Sequence, residues 1–410
     1  MALTSKIRRT LIQAATVAAV LLTVSTAVQL YVTKWRPAAD QWRLTQIFKG
    51  SNEPLHLPLT HSQTAWEVMK SDKNISSFVR MIEDFPDIVL GLTSVAGKFT
   101  VLAPTNAAFE REPLAHDTPD FGYMMLVGYH MGPGSFSDQA LLETNTISSF
   151  LNADRFFKYK QRLSIQPCVD GISVNFRAKL IGPGTIAANG HVHHIDRILP
   201  IPEAVAITLR DTPEFNSFRT ALIQTNVAVV VNDTSTHDGQ TVFVPTNAAF
   251  EKLGRKINRF LFSPGGNTYL EALLRYHIVT NRTFYSDVHY QSNGQGEIKM
   301  ATGSATSLPT LVNGHDLQIS IHADDSRNLI TINNAVRAST QDIVAMDGVI
   351  HVIDTVLLPP TASEDGSKPQ EEDTSWITSL VQLFRWKTTP EELTVESLME
   401  ILNPLLEPSS

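Results

Sequence analysis

Apolar residues recur at helical spacing at Ala65, Val68 and Met69, and again at Ile75, Phe78, Val79 and Ile82. That spacing puts one face of each segment on a core and predicts two packed helices. Residues 98–103 then read as a strand, stopped by Pro104. Thr105 and Asn106 are N-cap residue types for a short helix carrying Ala107, Ala108 and Phe109. Glu110 is expected in its first turn, near the positive end of the dipole. Residues 123–130 (YMMLVGYH) resemble the end of a buried helix, and Gly132, Pro133 and Gly134 break the chain after it. Short strand patterns follow at residues 163–165, 172–176 and 179–181, with Gly182-Pro183-Gly184 as a turn. The unit closes at Asn189-Gly190 and the run HVHHIDRILP, residues 191–200.

The same order then returns. Phe215, Phe218, Leu222 and Ile223 predict a helix, residues 270–278 (LEALLRYHI) a second, and residues 317–321 and 329–332 two strands. Asp347-Gly348 leads into the closing run VIHVIDTVLLP. The repetition is sharpest at residues 100–110, TVLAPTNAAFE, and 241–251, TVFVPTNAAFE, which share nine of eleven positions. Asn106 and Asn247 are offset by 141, His130 and His277 by 147, and Asp196 and Asp354 by 158. The order is kept while loops grow, so a whole domain has been duplicated rather than a short solenoid repeat.

Three landmarks occur twice in order: the T-V-x-x-P-T-N-x-A-F box, a Tyr-His pair about 25 residues later, and a closing N/D-G-x-x-H-x-I-D strand. Together they resemble the fasciclin domain over about 300 residues. The resemblance implies an α+β chain of two tandem domains, each a twisted β-sandwich or wedge flanked by helices. It implies a structural or interaction role for Thr105, Asn106, Phe109, Tyr129, His130, His193 and Asp196. The same holds for Thr246, Asn247, Phe250, Tyr276, His277, His351 and Asp354 in the second copy. The first closing box departs from the pattern in being rich in histidine. The family is associated with adhesion and with extracellular, cell-surface or vacuolar interaction, and two-domain, single-anchor forms of this kind are familiar from fungi.

The flanks extend this picture. Residues 1–33 hold Lys6, Arg8 and Arg9, then an uncharged apolar stretch over residues 11–32, and read as a signal peptide or a signal anchor. Residues 34–60 are a linker, 61–200 the first domain, 201–360 the second, and 361–373 an acidic linker. Residues 374–410 form an amphipathic helical tail. In it Thr389-Pro390-Glu391-Glu392 suits a helix start, and Leu398, Ile401, Leu402 and Leu405 supply an apolar side for docking, a partner or a membrane surface. Asn74, Asn232 and Asn281 open N-x-S/T triplets and are candidate glycosylation sites in a secretory-route protein. The net charge of −8, with no basic run, argues against nucleic acid. Cys168, alone in the chain, cannot form an internal disulfide and is expected as a small buried hydrophobe.

Catalytic signatures are missing: no G-x-S-x-G elbow, phosphate-binding loop or H-E-x-x-H occurs. On a strand His191 and His193 share one face and His194 the other. Two ligands are too few for a closed zinc site, so neither metal nor cofactor is expected. The Tyr-His pairs suit buried, hydrogen-bonded structural duty. The chain is therefore expected to be a non-enzymatic adhesion or interaction protein on the exoplasmic or lumenal side, at the cell surface or vacuole, or secreted if the leader is cleaved. Its partner would be a protein, a glycan or a membrane-associated molecule, with the membrane itself reached through the N-terminal segment if that is uncleaved. The alternative is a hydrolase, or a lipid- or small-ligand-binding protein, using a cleft in one domain.

Overall fold

At the centre of each copy lies one short strand with every residue buried, stopped by proline. The computed structural model describes residues 63–114, 120–152, 159–233, 235–291, 297–324, 327–359 and 393–406. All belong to one compact unit. The N-terminal apolar segment, the linkers at 34–60 and 361–373, and the helix start at Thr389 lie outside the described residues. No described helix is long and apolar enough to cross a membrane.

The first domain opens with α1 (Ala65–Ser71), started by a capping box in which Thr64 and Glu67 satisfy each other's backbone N–H. Helix α2 (Ser76–Glu83) buries Phe78, Val79 and Ile82, the side given by their spacing. After α3 (Pro86–Thr93) comes the box strand β1 (Phe99–Pro104), then α4 (Asn106–Arg111) and α5 (Asp120–Tyr129). The chain continues through β2 (Met131–Pro133), α6 (Asp138–Leu142), β3 (Thr146–Asn152), β4 (Lys160–Cys168) and β5 (Gly171–Val174). It ends with β6 (Ala178–Lys179), β7 (Thr185–Ala187) and β8 (Gly190–Ile195). Two four-stranded sheets result, in the orders β2-β1-β8-β7 and β3-β4-β5-β6. The first and last strands, β1 and β8, pair in parallel at the middle.

The second domain repeats this with α7 (Val205–Asp211), α8 (Asn216–Gln224), α9 (Val227–Asn232), β9 (Gln240–Pro245), α10 (Asn247–Lys252), α11 (Arg255–Leu261) and α12 (Asn267–Tyr276). Then come β10 (Ile278–Thr280), β11 (Arg282–Phe284), β12 (Val288–Gln291), β13 (Glu297–Lys299), β14 (Ala305–Pro309), β15 (Asp316–Asp324) and β16 (Arg327–Ile332). Strands β17 (Val336–Ala345) and β18 (Gly348–Ile353) close it, and β18 runs parallel to β9. Here seven strands form one sheet, β10-β9-β18-β17-β16-β15-β14, beside the three-stranded β11-β12-β13. The difference has a local cause. At the offset of 158, Gly182-Pro183-Gly184 stands where the second copy has Thr340-Gln341-Asp342. The proline removes a ladder donor and splits the strand into β6 and β7, whereas β17 runs through with register shifts.

The glycine of the closing box follows from this packing. Phe99 pairs with Gly190, and Gln240 with Gly348. A Cβ on Gly190 would lie 1.9 Å from the Phe99 carbonyl oxygen, and one on Gly348 2.4 Å from that of Gln240. The tail helix α13 (Val395–Leu406) buries Leu398, Leu402 and Leu405 in the second domain's core, with Ile401 half-buried. Tyr269 Oη donates to Asn403 Oδ1 at 3.2 Å.

Several expectations change. Asn106 is the first residue of α4 rather than its cap, and Glu110 sits late in that helix. The strand expected over residues 172–176 stops at Val174, because Asn175 and Phe176 are left-handed, with φ of 51° and 56°. Ile223 faces solvent although its spacing suited a core. Cys168 is a half-buried free thiol at a strand end.

Candidate functional site

The duplicated box is a set of clamps. Thr100 Oγ1 donates to the Gly134 carbonyl and accepts from Phe136 N–H at 3.0 Å; Thr241 Oγ1 does the same to Arg282 and Phe284, at 2.9 Å each. Thr246 caps α10 by accepting from Ala249 N–H at 3.1 Å, while Thr105 makes no such bond. Asn106 reaches back instead. Its Oδ1 accepts from Ser77 N–H at 2.9 Å and its Nδ2 donates to the Lys73 carbonyl at 2.8 Å. Asn247 repeats this on Ser217 and Pro213. The box thus pins the helix that precedes it. Phe250 is buried; Phe109 is half-buried, against a small cluster around Leu126 and Ile198.

Each Tyr-His pair ties three elements together. His130 Nδ1–H donates to the Leu126 carbonyl at 2.8 Å, and Nε2 accepts from Leu199 N–H at 2.9 Å. His277 does the same with Leu273 and Leu357, at 2.7 and 2.9 Å. The Leu199 and Leu357 amides fix the tautomer. Burial pushes both rings down to about 4, so they stay neutral. Tyr129 Oη accepts from Asn175 Nδ2 at 2.7 Å and Tyr276 Oη from Asn333 Nδ2 at 2.9 Å. Both asparagines are left-handed, a conformation their type tolerates. Sequence reasoning missed them, although they repeat at the same offset of 158 as the closing box.

The closing box completes the scaffold. Asn189 Oδ1 accepts the first amide of α1 and Asp347 Oδ1 that of α7, at 2.7 and 2.8 Å. Burial raises the Asp347 carboxyl to about 6. His193 Nε2–H donates to the Phe136 carbonyl at 2.8 Å and His351 Nε2–H to that of Phe284 at 2.7 Å. These are the same segments that the box threonines hold. Asp196 and Asp354 sit just after the strands; Asp196 Oδ1 accepts from Lys179 N–H at 2.7 Å, and Thr246 Oγ1 is 3.5 Å from Asp354 Oδ1. The extra histidines separate, as strand alternation requires. His191 Nδ1 meets Ser135 Oγ at 2.8 Å, whereas His194 Nε2 meets Asp72 Oδ2 at 2.7 Å on the other face. Among the described residues no group of three His, Cys, Asp or Glu is placed to hold a metal. Asn74, Asn232 and Asn281 are all exposed.

A polar cluster at the domain boundary is the part no motif announced. Arg162 of β4 donates through Nε to Thr146 Oγ1 at 2.5 Å and through Nη1 to Tyr290 Oη at 3.0 Å in the second domain. Thr146 donates its N–H and Oγ1–H to the Asp287 carboxylate, at 2.9 and 2.6 Å. Asn145 and Asn328 exchange two bonds of 3.0 Å across the seam. Arg327 crosses the other way, to the Thr144 carbonyl at 2.8 Å and to that of Ile165. Burial lowers the Arg162 guanidinium, but Asp287, Tyr290 and Glu297 raise it above its ordinary value. Its partners in the second domain are more than a hundred residues away, so no local pattern marks it.

The family profile for the fasciclin domain matches twice, over residues 73–202 and 213–359. Aurofusarin biosynthesis cluster protein S of Gibberella zeae is 36% identical over 405 residues, covering 94% of this chain and 95% of that one. Human periostin is 31% identical over 208 residues, 50% of this chain and 22% of periostin. A fasciclin-like arabinogalactan protein of Arthroderma benhamiae is 28% identical over 196 residues, 48% of this chain and 39% of that one. A solved domain pair from the insect cell adhesion molecule fasciclin I aligns at 20% identity and a TM-score of 0.37, over 70% of this chain and 97% of that one. With both copies matched nearly end to end, the chain belongs to the fasciclin domain family.

Proposed function

We propose that the chain is a non-enzymatic interaction protein displayed on the exoplasmic or lumenal side, anchored or released through its N-terminal segment. One observation carries this reading. In both copies the Tyr-His pair, the groups best suited to chemistry, is buried with its polar atoms engaged in bonds that tie elements together. A hydrolytic centre needs a histidine or carboxylate free to meet substrate, and these rings are not free. Binding then falls to the outer surface, where two linked domains add avidity if both engage. The exposed Asn74, Asn232 and Asn281 support passage through a glycosylating compartment.

The test uses the full-length protein on a sensor surface, presented with cell-wall glycans and with anionic vesicles, beside a turnover assay on ester, peptide and glycoside substrates. Saturable binding with no turnover is expected. Turnover that disappears in the Y276F or H277Q variant would overturn the reading. The relative that matches nearly end to end is named for a biosynthesis cluster. That favours a second reading, in which the partner is a biosynthetic enzyme; reciprocal capture with one tagged enzyme of such a set decides between them.

A further inference from the structure

The geometry points to Asn232 as a glycosylated residue with a structural duty: the first sugars of its N-linked glycan cover an apolar corner that the second domain otherwise leaves in water. This rests on the exoplasmic or lumenal route of the proposed function, and adds which triplet is used and what its sugar does.

Two large apolar side chains stand out at one corner of the second domain. Ile223, near the end of α8, is 66% exposed, and Val229, on α9, is 57% exposed. The corner is tight. Left-handed Asn226 joins the helices, its N–H donating to the Ile223 carbonyl and its own carbonyl accepting from Val229 N–H, both at 3.2 Å. Helix α9 cannot turn to hide Val229, because Val227 and Val231 already fill the core from its other side.

Asn232 is the last residue of α9, three beyond Val229, and it is exposed. Residues three apart are neighbours on a helix surface, and a helical side chain leans back over the turn before it. The Asn232 carboxamide is therefore aimed across Val229. Asn232-Asp233-Thr234 is an acceptor triplet. In the transfer, Nδ2 bonds to C1 of an oligosaccharide carried on a polyprenyl diphosphate. The bond from C1 to the diphosphate oxygen breaks, one amide proton is lost, and the lipid diphosphate leaves. The C–H face and acetyl methyl of the first N-acetylglucosamine then lie on Val229 and, round the corner, toward Ile223, taking apolar surface out of water.

The other two triplets have no such surface beside them. Asn74 sits in a single turn between exposed Lys73 and buried Ile75. Asn281 is left-handed between β10 and β11, with its Oδ1 accepting from Asp238 N–H at 3.1 Å. The first copy repeats the apolar corner without the sugar. At an offset of 139, Ile88 and Leu92 are buried like Val227 and Val231, Leu90 stands for Val229, and Thr93 replaces Asn232. Leu90 is 71% exposed. The two linked domains thus present this corner once, open in the first and covered in the second.

The test expresses the full-length protein in a eukaryotic host and reads each triplet by glycopeptide mass spectrometry. Asn232 is expected to be occupied. Enzymatic removal of glycans from the folded protein, and separately N232Q, are each expected to raise the fluorescence of an apolar-surface dye about twofold over the level set by the open Leu90 corner. N74Q and N281Q are expected to leave it unchanged, and the I223S/V229S variant to show no rise on deglycosylation. A bare Asn232 beside an occupied Asn74 or Asn281 overturns the inference and leaves the route standing; three bare triplets overturn the route as well. A dye signal that does not rise on enzymatic removal also overturns the inference, and that measurement needs no variant to fold.

Discussion

In the first domain the carboxylate beside the closing histidine belongs to Asp138, on the segment that the box threonine holds; in the second it belongs to Asp342, on the strand. Asp138 Oδ1 lies 2.9 Å from His193 Nδ1, and Gly184 N–H points at the same carboxylate at 3.1 Å. At the matching positions the second domain has Ser286 for Asp138 and Asp342 for Gly184. The acid has changed sides. Asp138 is 40% exposed, so its contact with His193 becomes an ion pair only when the ring gains a second proton. Burial keeps that ring below its ordinary range, against the pull of the Phe136 carbonyl and Asp138. Asp342 is buried against Ser286 and His351, on a strand that Gln161 of the first domain also reaches at the Ala345 carbonyl. Duplicated residues therefore hold the fold in both copies, and the residues that differ record what each copy packs against.

The largest expected effect tests how alike the copies are. H130A and H277A each remove a bridge between a helix carbonyl and a buried amide and leave a cavity, so each is expected to destabilise its own domain by roughly 3–5 kcal/mol. Denaturant titration with domain-resolved hydrogen exchange measures both. A cost below about 1 kcal/mol in one copy breaks the equivalence.

Acid should separate the copies. A histidine with a folded value of about 4 is neutral in the native protein at pH 5, where the unfolded chain binds a proton. Stability is thus lost as pH falls from about 6.5 to 4, by roughly 3 kcal/mol per buried ring. Asp347 and Asp342 run the other way. Their native carboxyls take protons near pH 6 to 7, before the unfolded chain does, so stability rises as pH falls through that window. The second domain holds two such rings, with His237 and His289 lowered besides, and both raised carboxyls. The first has His130, and His193 lowered besides, with no raised carboxyl among its described residues to offset them. Between pH 7 and 4 the first domain is expected to lose more stability than the second, whose two raised carboxyls offset its buried rings. Equal losses in exchange-resolved melts would count against this assignment.

The smallest effect concerns one turn. Phe176 holds a left-handed backbone with its ring 46% exposed, while Asn334 holds the same conformation in the second copy. F176N is expected to stabilise the first domain by about 0.5–1 kcal/mol, and N334F to destabilise the second by a similar amount. Midpoints moving in the same direction would show that packing, not backbone strain, decides the position.

The box, the Tyr-His pairs and the closing strands were legible because they are local and occur twice. Their physical duties were only partly legible. Threonine before asparagine suggested two caps, but Asn106 and Asn247 bond to segments about thirty residues upstream, which sequence proximity cannot show. Leu398, Leu402 and Leu405 were readable as an apolar stripe, and only packing revealed that they close the second core. The seam was not legible, because Arg162 and Asp287 acquire meaning only when two separately folded surfaces meet.

The parallel pairing at the middle of each domain has a consequence for how the chain is made. β1 waits for β8 and β9 waits for β18, the last strand of each copy, and the second domain waits further for α13. Such long-range contacts raise the loop-closure cost before any reward arrives and slow folding. A nascent copy therefore carries its fully buried box strand with an open edge until its final segment emerges, exposed to association with its twin. The near-identical boxes make that mispairing the characteristic hazard of this chain, and order of emergence its natural safeguard.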